Sequence, residues 1–153
     1  AREMHAAVFQ LAEHASVIIK AAAVADFRPA VEEQEKVKKD RTGLSLQLSR
    51  NPDILYDLGR SRKEGQILVG FAAESSNLQA EGRRKLATKN LDLIAVNNIC
   101  SDTSGFECDT NQILLIDRER EDLLPMTSKE QTADMIWDRV VYLRGQRRES
   151  SGG

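Results

Sequence analysis

The chain is short of the residue types that most often announce a function: of 153 residues two are Cys, two His, three Pro and one Trp, and aromatics make up 5%. Each scarcity excludes something. Cys100 and Cys108 lie eight apart, without a CxxC pair or a nearby histidine, so they do not make a metal site and read as free thiols. His5 and His14 are nine residues apart, which at about 100° per residue places them on opposite faces of a helix, where they share no metal. Neither GxGxxG nor GxxxxGK[ST] occurs, which excludes a self-contained Rossmann fingerprint or P-loop. No apolar stretch approaches the roughly 20 residues of a membrane span, and the first residues resemble neither a signal nor a transit peptide. The reading is a cytoplasmic protein with no membrane partner. An excess of one charge is also missing. Lys and Arg number 22 against 24 Asp and Glu, a net charge of −2, which gives no whole-molecule field for nucleic acid. Any basic function must be local.

With 41% hydrophobic and 30% charged residues, the chain suits one soluble domain with a real core. A helix is predicted at about 2–15, with Met4, Ala7, Val8, Leu11 and Ala15 on its apolar stripe. An apolar run from Ile18 to Ala25 then ends in Asp26, Phe27, Arg28 and Pro29. It reads as a strand at about 17–25, buried on both faces as in a parallel sheet, with Asp26 at the carboxyl end where ligands of α/β sheets bind. Residues 31–40 are polar and charged, and after Thr42 and Gly43 the alternation of Leu44, Leu46 and Leu48 with serine and glutamine predicts a half-buried, two-stranded excursion. Asn51 as cap and Pro52 at the first helical position open a helix through Ile54, Leu55 and Leu58 to about Lys63.

Buried strands follow at 66–73 and 93–96, separated by a basic helix at 76–90, which is the alternation of a doubly wound sheet. A hairpin is predicted at about 112–117 and 122–126. Ser128 and Gln131 form a capping box for a last helix that buries Ala133, Ile136, Trp137 and Val140. No internal repeat or linker divides the chain. The fold class is therefore α/β, Rossmann-like in three layers, with a mainly parallel sheet, an antiparallel arm at about 36–50 and a C-terminal hairpin.

Phosphate chemistry in such a chain falls to lysines: Lys36, Lys38 and Lys39 in EKVKK, and Lys85 and Lys89 in KLATK. Lys85 and Lys89 are one helical turn apart, so both ammonium groups can meet one polyanion, although such a pair also suits a solvated face. Asp26 equally suits a turn, Phe71 a core position, and Asn51, Pro52 and Asp53 a helix cap. Their order along the chain carries more. AAVADFRP at 22–29, EKVKK at 35–39, NPDIL at 51–55, GFAAES at 70–75 and KLATKNLDLIAVNN at 85–98 together resemble the phosphopantothenate–cysteine ligase family, over residues of about 3 to 143.

The resemblance implies a ligase of coenzyme A biosynthesis. It would use CTP, with Mg²⁺, to convert the carboxylate of 4′-phosphopantothenate into an acyl-cytidylate, which the amine of cysteine then resolves to the amide. Lys36 is implied as the catalytic residue at the α-phosphate. Lys85 and Lys89 would hold the triphosphate, and Asp26 the ribose hydroxyls. The backbone of Ala21, Ala22 and Ala23 and the turn Pro52, Asp53, Ile54 and Leu55 would line the CTP pocket, with Phe71 beside it. Asn97 and Asn98 are substrate candidates, and no residue is assigned to a metal. The family also implies a homodimer through the arm and a flavin-dependent decarboxylase as fused or associated partner. Members begin with a strand, a glycine-rich turn and a segment bearing an asparagine and paired serines, none of which is found here. The expectation is therefore the C-terminal part of a ligase domain over 1–146, inactive alone, with 147–153 as a flexible tail. The rival readings are a nucleotide-binding or assembly module without chemistry, and a flavin-linked domain.

Overall fold

Sheet and helices are arranged around two apolar cores, one on each face of a five-stranded sheet. The computed structural model describes residues 1–31, 45–99 and 110–150. The arm lysines Lys36, Lys38 and Lys39, together with Leu44, Cys100 and Cys108, lie outside them. Among the described residues, the order is α1 (Arg2–Ala12), β1 (Val17–Lys20), β2 (Phe27–Pro29), β3 (Leu48–Arg50), α2 (Ile54–Ser61), β4 (Ile67–Glu74), α3 (Leu78–Thr88), β5 (Leu93–Asn98), β6 (Thr110–Asn111), β7 (Ile113–Asp117), β8 (Glu121–Leu123), β9 (Thr127–Ser128) and α4 (Lys129–Ser150). The main sheet runs β1-β4-β5-β7-β8. β1, β4 and β5 are parallel, and β7 and β8 add an antiparallel hairpin. The predicted fold class is observed.

Side chains alternate across each strand. Leu68 of β4 and Ile94 and Val96 of β5 face α1, α2 and α3, where they meet Leu55, Leu58, Leu86 and Leu91. Ile67, Val69, Leu93 and Ala95 face α4, where they meet Ile136 and Val140. A buried carboxylate fixes the end of the sheet remote from the arm. Asp92 is 4% exposed and accepts from the Leu68 amide at 2.8 Å and from Arg62 at 2.7 Å, and it also pairs with Arg147. Residues 147–150, expected in the tail, are thus the last turn of α4, held by this pair and by the Arg147 bond to the Gln66 carbonyl at 2.8 Å.

Two close approaches position the site. A Cβ on Gly59 would fall 1.9 Å from the Lys89 carbonyl oxygen, and one on Gly82 2.5 Å from Ile116. Only glycine lets α2 lie so near the end of α3. There Asn90 takes a positive φ of 50° and closes a Schellman motif: Leu91 N–H bonds the Leu86 carbonyl at 2.9 Å and Asn90 N–H the Ala87 carbonyl at 3.1 Å. The Asn90 side chain donates to the Gly59 carbonyl at 2.8 Å, joining the two helices.

Several expectations are corrected. β1 ends at Lys20 and, among the described residues, is the edge strand of the sheet with a partner on one side only; it is half-buried rather than enclosed, and Ala21 to Ala25 continue without regular structure. The cap of α2 is Asp53, whose carboxylate accepts from the Tyr56 amide at 3.1 Å, not Asn51. Pro52 therefore precedes the helix. The stripe of α1 is Met4, Val8, Phe9 and Ala12, whereas Leu11 is exposed. On α4 the buried positions are Thr132, Ile136 and Val140. Ala133 and Trp137 stand on the adjoining side of the helix and stay exposed, at the open wall of a cleft between α4 and the sheet. The excursion begins earlier than 36: β2 pairs with β3, and Leu46 and Leu48 are exposed rather than half-buried, no described element lying over them.

At the hairpin turn the Asp117 carboxylate accepts from the Glu119 and Arg120 amides at 2.8 and 2.7 Å and from Arg139 at 2.6 Å. Burial alone would raise its pKa. The two amides and Arg139 outweigh burial and hold it below the ordinary carboxylate value. Its stabilising contribution is then complete above about pH 4, the unfolded value, and is lost as pH falls through the folded one. The expected outcome for Asp117→Asn is a loss of about 1–3 kcal/mol at pH 7 and a smaller further loss than wild type between pH 7 and 3. Urea unfolding across that range measures it, and equal pH slopes for the two proteins would contradict it.

Candidate functional site

The charged residues singled out in the sequence converge where the base of the arm, the start of α2 and the last turns of α3 meet. A cleft of about 540 Å³ is lined there by Asp26, Phe27, Arg50, Asn51, Asp53, Arg84, Lys85, Thr88 and Lys89. Four cations face two carboxylates. A fifth cation, Lys20, ends β1 on the same face of the sheet and donates to the Ala22 carbonyl at 3.0 Å. Burial, then the Lys89 ammonium, push the Lys20 amine below its ordinary pKa, against the pull of Asp53 and Asp26.

Asp53 links the cap to the cations. One of its oxygens accepts from the Tyr56 amide and the other from Lys89 at 2.8 Å. Burial would raise its pKa, but the Lys89 bond, the Tyr56 bond and the charges of Lys89 and Lys20 together hold it below the ordinary value. It is ionised at neutral pH. Lys85, one turn earlier on α3, pairs with Glu74 at the end of β4.

Asn51 organises the mouth of the cleft. Its amide group donates to the Ala25 carbonyl at 2.7 Å, its side-chain oxygen accepts from Arg28 at 3.1 Å, and its backbone N–H bonds the Asp26 carbonyl at 2.8 Å. Asn51 thus pins the Ala25–Arg28 turn to β3, and Asp26 with it. The asparagine predicted as a cap is instead a clamp.

The structure therefore brings Asp26, Asp53, Lys85 and Lys89 together. It does not bring Phe71. Strand parity decides this: Phe71 follows Ile67 and Val69 onto the α4 face, while Leu68 and Glu74 stand on the face of α2 and α3. Phe71 lines a separate, largely apolar cleft of about 450 Å³ with Ile19, Asn97, Ile113, Ile136 and Trp137. Asn97 is in that second cleft, where its side-chain oxygen is buried without a partner, and Asn98 lies on the opposite face of β5. Ile54 and Leu55 are 2% and 4% exposed and belong to the core. Ala21, Ala22 and Ala23 are exposed between β1 and β2, outside the lining of either cleft, and Pro52 adjoins Asp53 without lining it.

Sequence reasoning missed Lys20, Arg50, Asn51 as a clamp, Glu74, Arg84 and Thr88. Lys20 had a signal, being the one charge inside an apolar run. Arg50 and Arg84 had none, since their approach depends on how the arm base and α3 pack. Among the described residues, no group of three or more His, Cys, Asp and Glu could hold a metal ion, and no helix is long and apolar enough to cross a membrane.

Residues 1–143 match the family described as the DNA/pantothenate metabolism flavoprotein C-terminal domain. The coenzyme A biosynthesis bifunctional protein CoaBC of Bacillus subtilis (strain 168) is 41% identical over 154 residues, covering 99% of this chain and 37% of that protein. The crystal structure of the C-terminal domain of a CoaBC is similar with a TM-score of 0.72 and 30% identity, covering 92% of this chain and 60% of that one. A Cab2 mutant in complex with phosphopantothenate-cysteine shares the fold, with a TM-score of 0.72 at 20% identity, covering 95% of this chain and 51% of that one. The chain spans a little over a third of the length of the curated relatives it matches.

Proposed function

This chain belongs to the DNA/pantothenate metabolism flavoprotein C-terminal domain family, and on that premise we propose that it carries nucleotide-binding machinery of a CTP-dependent ligase joining 4′-phosphopantothenate to cysteine. The observation that carries the reading is the cationic cleft. Arg50, Arg84, Lys85 and Lys89 outnumber Asp26 and Asp53 along its wall, and its volume lies within the usual range of small-molecule sites. A triphosphate is the polyanion that such a set of neighbouring cations would engage.

In this reading Lys85 and Lys89 bind the phosphate tail through charge-assisted hydrogen bonds. Asp26, an acceptor-only group when ionised, takes the ribose hydroxyls. The 4′-phosphopantothenate carboxylate attacks the α-phosphorus, the bond to the β-phosphate breaks, and pyrophosphate leaves. The cysteine amine then attacks the acyl carbon, CMP leaves, and the amide nitrogen loses a proton. Lys36, in the arm outside the described residues, is the cation proposed to face the α-phosphate as charge develops there. Mg²⁺, held mainly by water and the phosphates of the nucleotide, would neutralise charge there; among the described residues no group of three or more His, Cys, Asp and Glu could hold it. The ligand seen in the Cab2 complex and the name of the Bacillus subtilis relative support the choice of substrates.

The arm supports association with a second copy. Phe27, Leu46 and Leu48 are 49%, 56% and 59% exposed at its base, an apolar edge that another arm would cover. A flavin-dependent decarboxylase as fused or associated partner, and a cytoplasmic location, complete the proposal.

Two measurements test it. Titration calorimetry is expected to show CTP binding that Lys85→Gln and Lys89→Gln each weaken by about tenfold or more, the cost of a lost bond to a charged group. Binding of NADPH with none of CTP would overturn the reading. In the full-length parent, Lys36→Gln is expected to lower acyl-cytidylate formation by a factor on the order of 10²–10³. Normal turnover in that variant would remove Lys36 from the mechanism.

A further inference from the structure

Every cation that α3 sends into the cleft is already held by a carboxylate. Lys89 Nζ lies 2.8 Å from Asp53 Oδ2, Lys85 Nζ donates to Glu74 Oε1, and Arg84 donates to Glu81 at 3.0 and 2.7 Å. The three carboxylates differ in what else they do. Asp53 is also the cap of α2. Glu81 sits three residues before Arg84 on an exposed part of the same helix. Glu74 caps nothing. It ends β4, and its side chain and that of Lys85 are only 18% and 27% exposed.

A carboxylate kept mostly buried against a lysine of a phosphate-binding cleft opposes any phosphate that needs that lysine. The incoming anion must displace it or accept its repulsion at short range and reduced solvation. Resting on the proposed role of the cleft, we infer that Glu74 is a competitor for the polyphosphate site: it holds Lys85 in place of a phosphate and sets the affinity of the cleft. Lys85 and Lys89 are neighbours on one helix face, about 5–6 Å apart at Cβ, so a phosphate chain can engage both. Glu74 keeps the Lys85 ammonium aimed at the cleft in the free protein and yields it when a phosphate chain that also engages Lys89 arrives.

The test titrates inorganic tripolyphosphate by calorimetry into the 153-residue chain and into Glu74→Gln, Glu81→Gln, Lys85→Gln and the Glu74→Gln/Lys85→Gln double variant. The expected result is binding about fivefold tighter in Glu74→Gln, the worth of a partly exposed ion pair. Glu81→Gln, which removes the same charge from Arg84, is expected to gain less, and the gain from Glu74→Gln is expected to vanish when Lys85 is absent. Unchanged or weaker binding in Glu74→Gln, a gain matched by Glu81→Gln, or a gain that persists without Lys85 would overturn the competitor role. If the unaltered chain binds no tripolyphosphate, the cleft itself fails as a phosphate site, and the inference fails with it for that separate and recognisable reason.

Discussion

The contact on which the candidate site depends is the approach of α2 to the end of α3 at Gly59. With no side chain there, the α2 backbone reaches the Lys89 carbonyl, and the Asn90 side chain bonds the Gly59 carbonyl at 2.8 Å. Asn90 can do so because its left-handed backbone closes the α3 terminus and turns the chain into β5. Leu86 and Leu91, at the two ends of that motif, are buried in the core shared by α2 and the sheet. A side chain at 59 would push the helices apart, and Asp53 and Lys89 would no longer meet across the cleft. Packing of a glycine against a turn thus sets the electrostatics of a site some residues away.

Those electrostatics are nearly balanced in the free protein. Asp53 neutralises Lys89 and caps α2 at once, Glu74 occupies Lys85, and Lys20 stands close behind with its amine pushed down by burial and by Lys89. The arrangement keeps flexible lysine side chains ordered before any ligand is present. It also moderates affinity, because each cation must exchange partners. Asn51 plays the matching part at the mouth, fixing Asp26 through three bonds to the 25–28 turn.

Much of this was legible in the residues themselves. The apolar runs at 66–73 and 93–96 became β4 and β5, the capping-box spacing became the start of α4, with Gln131 N–H on Ser128 Oγ at 3.2 Å, and the ordered motifs led to the family that residues 1–143 match. Asp26, Lys85 and Lys89 do share a cleft. What could not be read was register and parity. An apolar strand buried on both faces gives no alternation to show that Phe71 looks toward α4 while Leu68 and Glu74 look the other way. Nor does a run such as 17–25 say that it becomes an edge strand, since that depends on which strands pair beside it. Asn51 and Asp53 are both good capping residues, and the choice between them was made by the turn at 25–28, which recruits Asn51. Trp137 sits one position beyond Ile136, and a helical stripe alone does not mark where the covering sheet ends.

Nucleotide is proposed to bind on the α2/α3 face of the sheet and not in the apolar cleft beneath α4. Amide chemical-shift mapping of the isotope-labelled 153-residue chain during CTP titration tests this most directly. Shifts are expected to concentrate at Asp26, Asn51, Asp53, Glu74, Lys85 and Lys89. Shifts confined to Phe71, Asn97, Ile113 and Trp137, on the opposite face, would contradict it.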